Sequence, residues 1–117
     1  MAIERFEDIK AWQKAKILAV KVYSAFSESK DFGFKDQIQR ASVSVMNNIA
    51  EGFERRSRKQ FSYFLNIAKG SCGEVRSMII LAKELKKIDK NQSKELIELT
   101  IEVSKIISGL MKSLELQ

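Results

Sequence analysis

Between Ser57 and Lys86, apolar or small residues recur at Phe61, Phe64, Ala68, Ser71, Val75, Met78, Ala82 and Leu85. The spacing alternates three and four without a break. It places all eight on one stripe of an α-helix and scatters them over both faces of a strand. A stripe this long is the signature of a helix packed nearly parallel or antiparallel to its neighbours. Ser57 and Gln60 fit a capping box that starts the helix. The chain has no proline, the residue that most often breaks a helix interior, and no segment alternates like a strand.

Three further segments follow the same rule. The spacing predicts a first helix over about 8–28, capped by Asp8, with Ile9, Trp12, Ala19, Tyr23 and Phe26 on one face and Lys16 at its edge. A second runs over about 34–54 on the seam Phe34, Ile38, Ala41, Val45, Asn48 and Gly52. The third covers about 57–86. A fourth covers about 93–114 on Leu96, Leu99, Val103, Ile106 and Leu110. Four helices with short connections predict an all-α, antiparallel up-down-up-down four-helix bundle, one domain over residues 1–117. The second helix has another apolar row, Val43, Met46, Ala50 and Phe53, which is the expected subunit interface. Gly52, Gly70 and Gly73 each cost a helix interior about 1 kcal/mol relative to alanine. Close approach to another helix is the expected return, with early termination of the second helix as the alternative at Gly52.

Composition excludes several chemistries. Histidine is absent and Cys72 is the only cysteine. That removes Cys/His zinc sites, Ser-His-Asp triads, Cys-His dyads and any disulfide within the chain. No phosphate loop or nucleophile–base pair stands in its place. The expectation is a protein without catalytic residues, metal or other cofactor. The first residues lack a signal-peptide pattern and no apolar run approaches membrane-spanning length. A cytoplasmic protein without membrane association is expected.

Charge is the informative remainder. The net charge is +6, yet residues 55–87 alone carry +7. Arg58, Lys69, Arg76, Lys83 and Lys87 fall within about 40° of one another on the third helix, over roughly 43 Å. Arg55, Arg56, Arg58 and Lys59 cluster at its N-terminus, where cations oppose the helix dipole. These eight residues are candidates for neutralising RNA or DNA phosphates. A solvated face serving solubility is the competing reading of the stripe, and the cluster at the helix start favours binding. On the second helix, Gln37, Arg40, Ser44, Asn48 and Glu51 share one side. They are expected to form a structural polar network rather than an active site around Glu51. Arg40 and Glu51, eleven residues apart, would need a partner helix or subunit to bridge them.

The same residues carry a family pattern. Phe6-Glu7-Asp8-Ile9 precedes Trp12-Gln13-Lys14-Ala15; Arg40-Ala41 and Ser44-Val45 run into Asn48-Ile49-Ala50-Glu51-Gly52; Phe64-Leu65-Asn66-Ile67-Ala68 precedes Gly70-Ser71 and Glu74. This resembles the four-helix-bundle proteins encoded in intervening sequences of bacterial 23S ribosomal RNA genes. Two departures are visible: Phe26-Ser27 stands where the family often has Phe-Pro, and Gln39-Arg40 where it often has paired arginines. The resemblance implies a homopentamer. It also implies kinship with the accessory variability protein of diversity-generating retroelements, a basic pentameric barrel that binds a reverse transcriptase and nucleic acid. The second apolar row of the second helix motivates the alternative to direct RNA or DNA binding, a structural adaptor for a protein such as a reverse transcriptase or ribosome-associated factor.

Overall fold

The computed structural model describes residues 3–115. Residues 1, 2, 116 and 117, the ends of the expected 1–117 domain, lie outside the described residues. Four α-helices follow a short 3-10 turn at Phe6–Asp8: α1 (Lys10–Ala25), α2 (Phe32–Glu54), α3 (Arg58–Glu84) and α4 (Lys90–Glu115). No strand occurs among the described residues. Each helix packs on the next in sequence, and α1 also packs on α4, giving a four-helix body 45 Å long.

Local chemistry explains most of the boundaries. The Asp31 carboxylate accepts from the Phe34 amide at 3.2 Å, so α2 begins two residues before the expected Phe34. The Ser57 hydroxyl accepts from the Gln60 amide at 3.3 Å and starts α3. Asp89 and Gln92 cap α4 reciprocally, with the Gln92 amide 2.7 Å from the Asp89 carboxylate. This starts α4 three residues before the expected 93. Each case satisfies an amide that has no partner inside the helix. Asp8 does not cap α1 as expected. It closes the 3-10 turn, and Ile9 occupies the N-cap position without a side-chain cap.

At the other ends, α2 and α3 stop where Arg56 and Lys86 enter the left-handed region, with φ of 56° and 59°. Behind Lys86, its own amide bonds to Lys83 O at 3.0 Å and the Lys87 amide to Ala82 O at 2.8 Å. This is a Schellman ending with lysine where glycine is usual. It ends α3 at Glu84.

The core is formed by Leu18 and Val22 of α1, Ile38, Val45 and Ile49 of α2, Leu65, Val75 and Ile79 of α3, and Val103 and Ile107 of α4, all fully buried. Two faces differ from expectation. On α1 the buried residues are Ala11, Ala15, Leu18, Ala19 and Val22, while Tyr23 is exposed and Trp12 half-buried. On α3, Leu65, Cys72 and Ile79 are buried, and Leu85 is 55% exposed. Gly52 is a true close approach: a Cβ there would lie 2.7 Å from Phe64 Cβ. Gly70 and Gly73 are not, since a Cβ at either meets nothing within 4 Å. No helix is long and apolar enough to cross a membrane among the described residues.

Candidate nucleic-acid interface

The cations of residues 55–87 divide into two groups. The first group is tied into the fold. Arg55 lies over the Phe64 ring at 4.9 Å and bonds to Glu51 at 2.8 Å. Arg56 covers the Phe53 ring at 4.6 Å and donates to the Glu4 carbonyl at 3.3 Å. Their planar guanidinium groups stack on aromatic faces while holding an acceptor. Lys87 is the clearest correction. It lies beyond the end of α3 rather than on its stripe, its side chain is only 20% exposed, and it pairs with Asp31 at 2.9 Å. Its ammonium also sits 5.3 Å from the Phe34 ring centroid. It fastens the α3–α4 connection to the start of α2.

The second group faces outward. Lys59, Lys69, Arg76 and Lys83 are exposed and make no ion pair among the described residues. Lys69, Arg76 and Lys83 are seven residues apart. They form a nearly straight row with steps of about 10.5 Å, roughly three nucleotides of a strand at about 3.4 Å each. Arg58, also exposed, stands at the α2–α3 corner. With Arg56 it rims a cavity of about 420 Å³ whose apolar wall includes Ile9, Phe53, Phe61 and Leu110.

The polar residues of α2 do not form one network. Asn48 donates to the Ser44 carbonyl and hydroxyl at 2.8 and 3.0 Å, and Ser44 meets Ser71 of α3 at 2.9 Å. Gln37 reaches Glu74 of α3 separately at 3.4 Å. Arg40 and Glu51 need no bridge from elsewhere. Arg40 pairs with Asp36 and Glu51 with Arg55, each one turn away and each at 2.8 Å. Paired charges one helical turn apart are local enough to form without a partner helix. Glu74 and Ser71 are the partners that inspection of α2 alone misses; the 3-4 spacing of α3 places Ser71 on its seam and Glu74 beside it.

In the expected subunit row, Val43, Met46, Ala50 and Phe53 are all half-buried within a single chain. Met46 and Phe53 already pack against the chain's own core, and Phe53 meets Phe61 edge-on at 5.8 Å. Exposed apolar residues lie elsewhere: Ile17, Val20 and Tyr23 on α1, Tyr63, Ile67, Ile80 and Leu81 on α3 with Leu85 just after it, and Phe32 at the start of α2.

Cys72 is buried and donates to the Thr100 carbonyl at 3.2 Å. Burial pushes its thiol up to about 11, although nearby Arg76 acts in the opposite direction. It is therefore a protonated core group near neutral pH. Among the described residues, no three His, Cys, Asp or Glu side chains are grouped to hold a metal ion.

Residues 7–109 match the model of the 23S rRNA-intervening sequence protein family. The chain belongs to that family. A similar solved structure is a crystal structure of a protein of unknown function from the S23 ribosomal protein family of Bacteroides thetaiotaomicron. It is 26% identical, with a TM-score of 0.81 over 87% of this chain and 98% of the other. No curated protein sequence matches the chain at a significant level. In this family member, the Asn48-Ile49-Ala50-Glu51-Gly52 run supplies three things: a buried isoleucine, a serine–asparagine link and the close approach to Phe64.

Proposed function

We propose that this family member is a non-enzymatic, oligomeric protein whose α3 surface binds the phosphate backbone of RNA or DNA with little sequence preference. The observation that carries the reading is the row Lys69, Arg76 and Lys83. These three cations stay exposed and make no ion pair among the described residues, whereas Arg55 and Lys87 are paired in the fold. Phosphate neutralisation releases counterions, so affinity falls with salt. With three to four cations engaged, log K against log salt slopes by about −2 to −3 for a single strand and −3 to −4 for a duplex. A salt-series titration with wild type and a Lys69→Glu/Arg76→Glu/Lys83→Glu variant tests this. Salt-independent binding, or none at low salt, overturns it. A cytoplasmic setting suits the lone free thiol.

The helices are proposed to run up-down-up-down and to assemble as a pentamer, as the family resemblance implies. Contacts that progress in opposite directions support the antiparallel order. Gln37 meets Glu74, Ser44 meets Ser71, and Gly52 meets Phe64; likewise Lys14 pairs with Glu102 and Lys21 with Glu95. Two separate apolar surfaces, on α1 and on α3, suit a ring in which unlike faces meet. The apolar residues of α3 also favour the second reading, an adaptor for a protein such as a reverse transcriptase or ribosome-associated factor. Light scattering at micromolar concentration tests the oligomer, and a monomer refutes it. Partner capture lost on Tyr63→Asp, with RNA binding intact, would support the adaptor.

A further inference from the structure

A groove of about 390 Å³ lies where the end of α3 meets the start of α4, lined by Lys83, Lys90, Asn91, Ser93, Lys94 and Glu98 with Ile97. Three features converge there. Lys83, Lys90 and Lys94 all line this one small volume, and none makes an ion pair among the described residues. Lys90 and Lys94 stand in the first turns of α4, where lysine opposes the helix dipole and stabilises nothing by itself. Ser93, in the wall of the groove, is only 1% exposed. Its hydroxyl is the one buried side-chain polar atom without a hydrogen-bond partner among the described residues.

A buried hydroxyl without a partner destabilises the fold. A serine at this position in a helix would ordinarily bond back to a carbonyl. An acceptor reaching in from the groove would satisfy it; at the same end of α4 the Asp89 carboxylate takes the Gln92 amide, and the Lys90 and Asn91 amides precede the first intrahelical bond, from Ser93 to Asp89. Cations, a hydroxyl donor and a helix N-terminus together describe an anion site. Glu98 edges the groove and disfavours a bulky anion deep along α4, so the favoured position is the first turn.

We infer that this groove binds a phosphate group between Lys83, Lys90, Lys94 and the Ser93 hydroxyl. This rests on the phosphate-binding reading of the chain, and it extends that surface from α3 onto α4. The phosphate has two possible sources, a nucleic-acid backbone or free inorganic phosphate, and the test separates them.

The test follows amide resonances of Asn91, Gln92 and Ser93 while inorganic phosphate, or a short oligouridylate, is added against matched chloride. Saturable phosphate-dependent shifts at these amides are expected. Ser93→Ala should weaken phosphate by about tenfold, the scale of one hydrogen bond to a charged group, while raising the melting temperature. Lys83→Gln/Lys94→Gln should weaken it further. If the oligouridylate moves the same amides, the phosphate is nucleic acid. If only inorganic phosphate does, the site takes the free ion. No saturable shift with either probe overturns the inference, as does a Ser93→Ala variant with undiminished affinity. RNA binding that depends on Lys69 and Arg76 but leaves the α4 amides unmoved overturns this site and preserves the wider reading. Phosphate shifts without any RNA binding do the reverse.

Discussion

Gly52 of α2 lies directly against Phe64 of α3, so closely that a Cβ at position 52 would sit 2.7 Å from the phenylalanine Cβ. That atom is the root of a side chain and moves only with its backbone. Alanine at Gly52 gains up to about 1 kcal/mol of helix propensity but overpacks the contact, which typically costs about 1–3 kcal/mol. Gly52→Ala should therefore lose about 1–2 kcal/mol by denaturant titration. The Phe61 ring, 3.1 Å from the same point, leaves little room for a shift. An unchanged or raised midpoint would show that the helices separate freely.

The four helices were legible because their periodicity is long and no proline interrupts it. Which side faces inward was harder. On α1, Trp12 and Tyr23 fall into a three-and-four spacing with Ile9, Ala19 and Phe26, yet Ala11 and Ala15 are the more buried, 1% and 0% exposed. Small residues let helices approach, so they take the inside, while large amphipathic rings sit at the rim. A shift of one residue turns a helix face by about 100°; on α1 the turn is smaller, since Ile9, Ala19 and Phe26 of the expected face are buried while Trp12 and Tyr23 lie toward the rim. The cations show the same limit. Counting charge finds all of them, but it does not reveal that Arg56 folds back over Phe53 or that Lys87 reaches Asp31. Both depend on where α2 and α3 end, and each ends at a residue with positive φ that no glycine marks.

Lys86 offers a direct check of that ending. Left-handed backbone costs a residue with a side chain about 1–2 kcal/mol relative to the right-handed region, and glycine escapes the penalty. The Lys86 side chain is exposed and makes no ion pair among the described residues. Lys86→Gly is expected to stabilise the protein by about 0.5–1 kcal/mol, after the greater chain entropy of glycine is subtracted. A loss of stability in thermal melts would mean that the lysine side chain holds the turn.

Asp31 should make part of the stability depend on acid pH. Its carboxyl is held below the ordinary value of 3.8, first by the Lys87 ammonium and then by the Phe34 amide. A depressed folded-state value gives stability that is complete above the unfolded value and disappears as pH falls through the folded one. Asp31→Asn should therefore be less stable than wild type at neutral pH. The gap should hold down to about pH 4 and close below it. Denaturation midpoints across a pH series measure this, and a gap that persists undiminished into strong acid contradicts it.

The two groups of cations should separate experimentally, and Lys87 and Lys69 mark the two sides. Lys87→Gln removes the link to Asp31 and the contact with the Phe34 ring. It should lower the melting temperature while leaving the slope of log K against log salt unchanged for a single-stranded RNA. Lys69→Gln removes an exposed charge with no ion pair among the described residues. It should leave the melting temperature within the small range usual for surface changes and flatten the salt slope by about 0.7. Neither result follows from net charge, because both substitutions remove one positive charge from the same basic segment. If the two variants weaken RNA equally and flatten the slope alike, RNA responds to overall charge, and the row on α3 has no special part in binding.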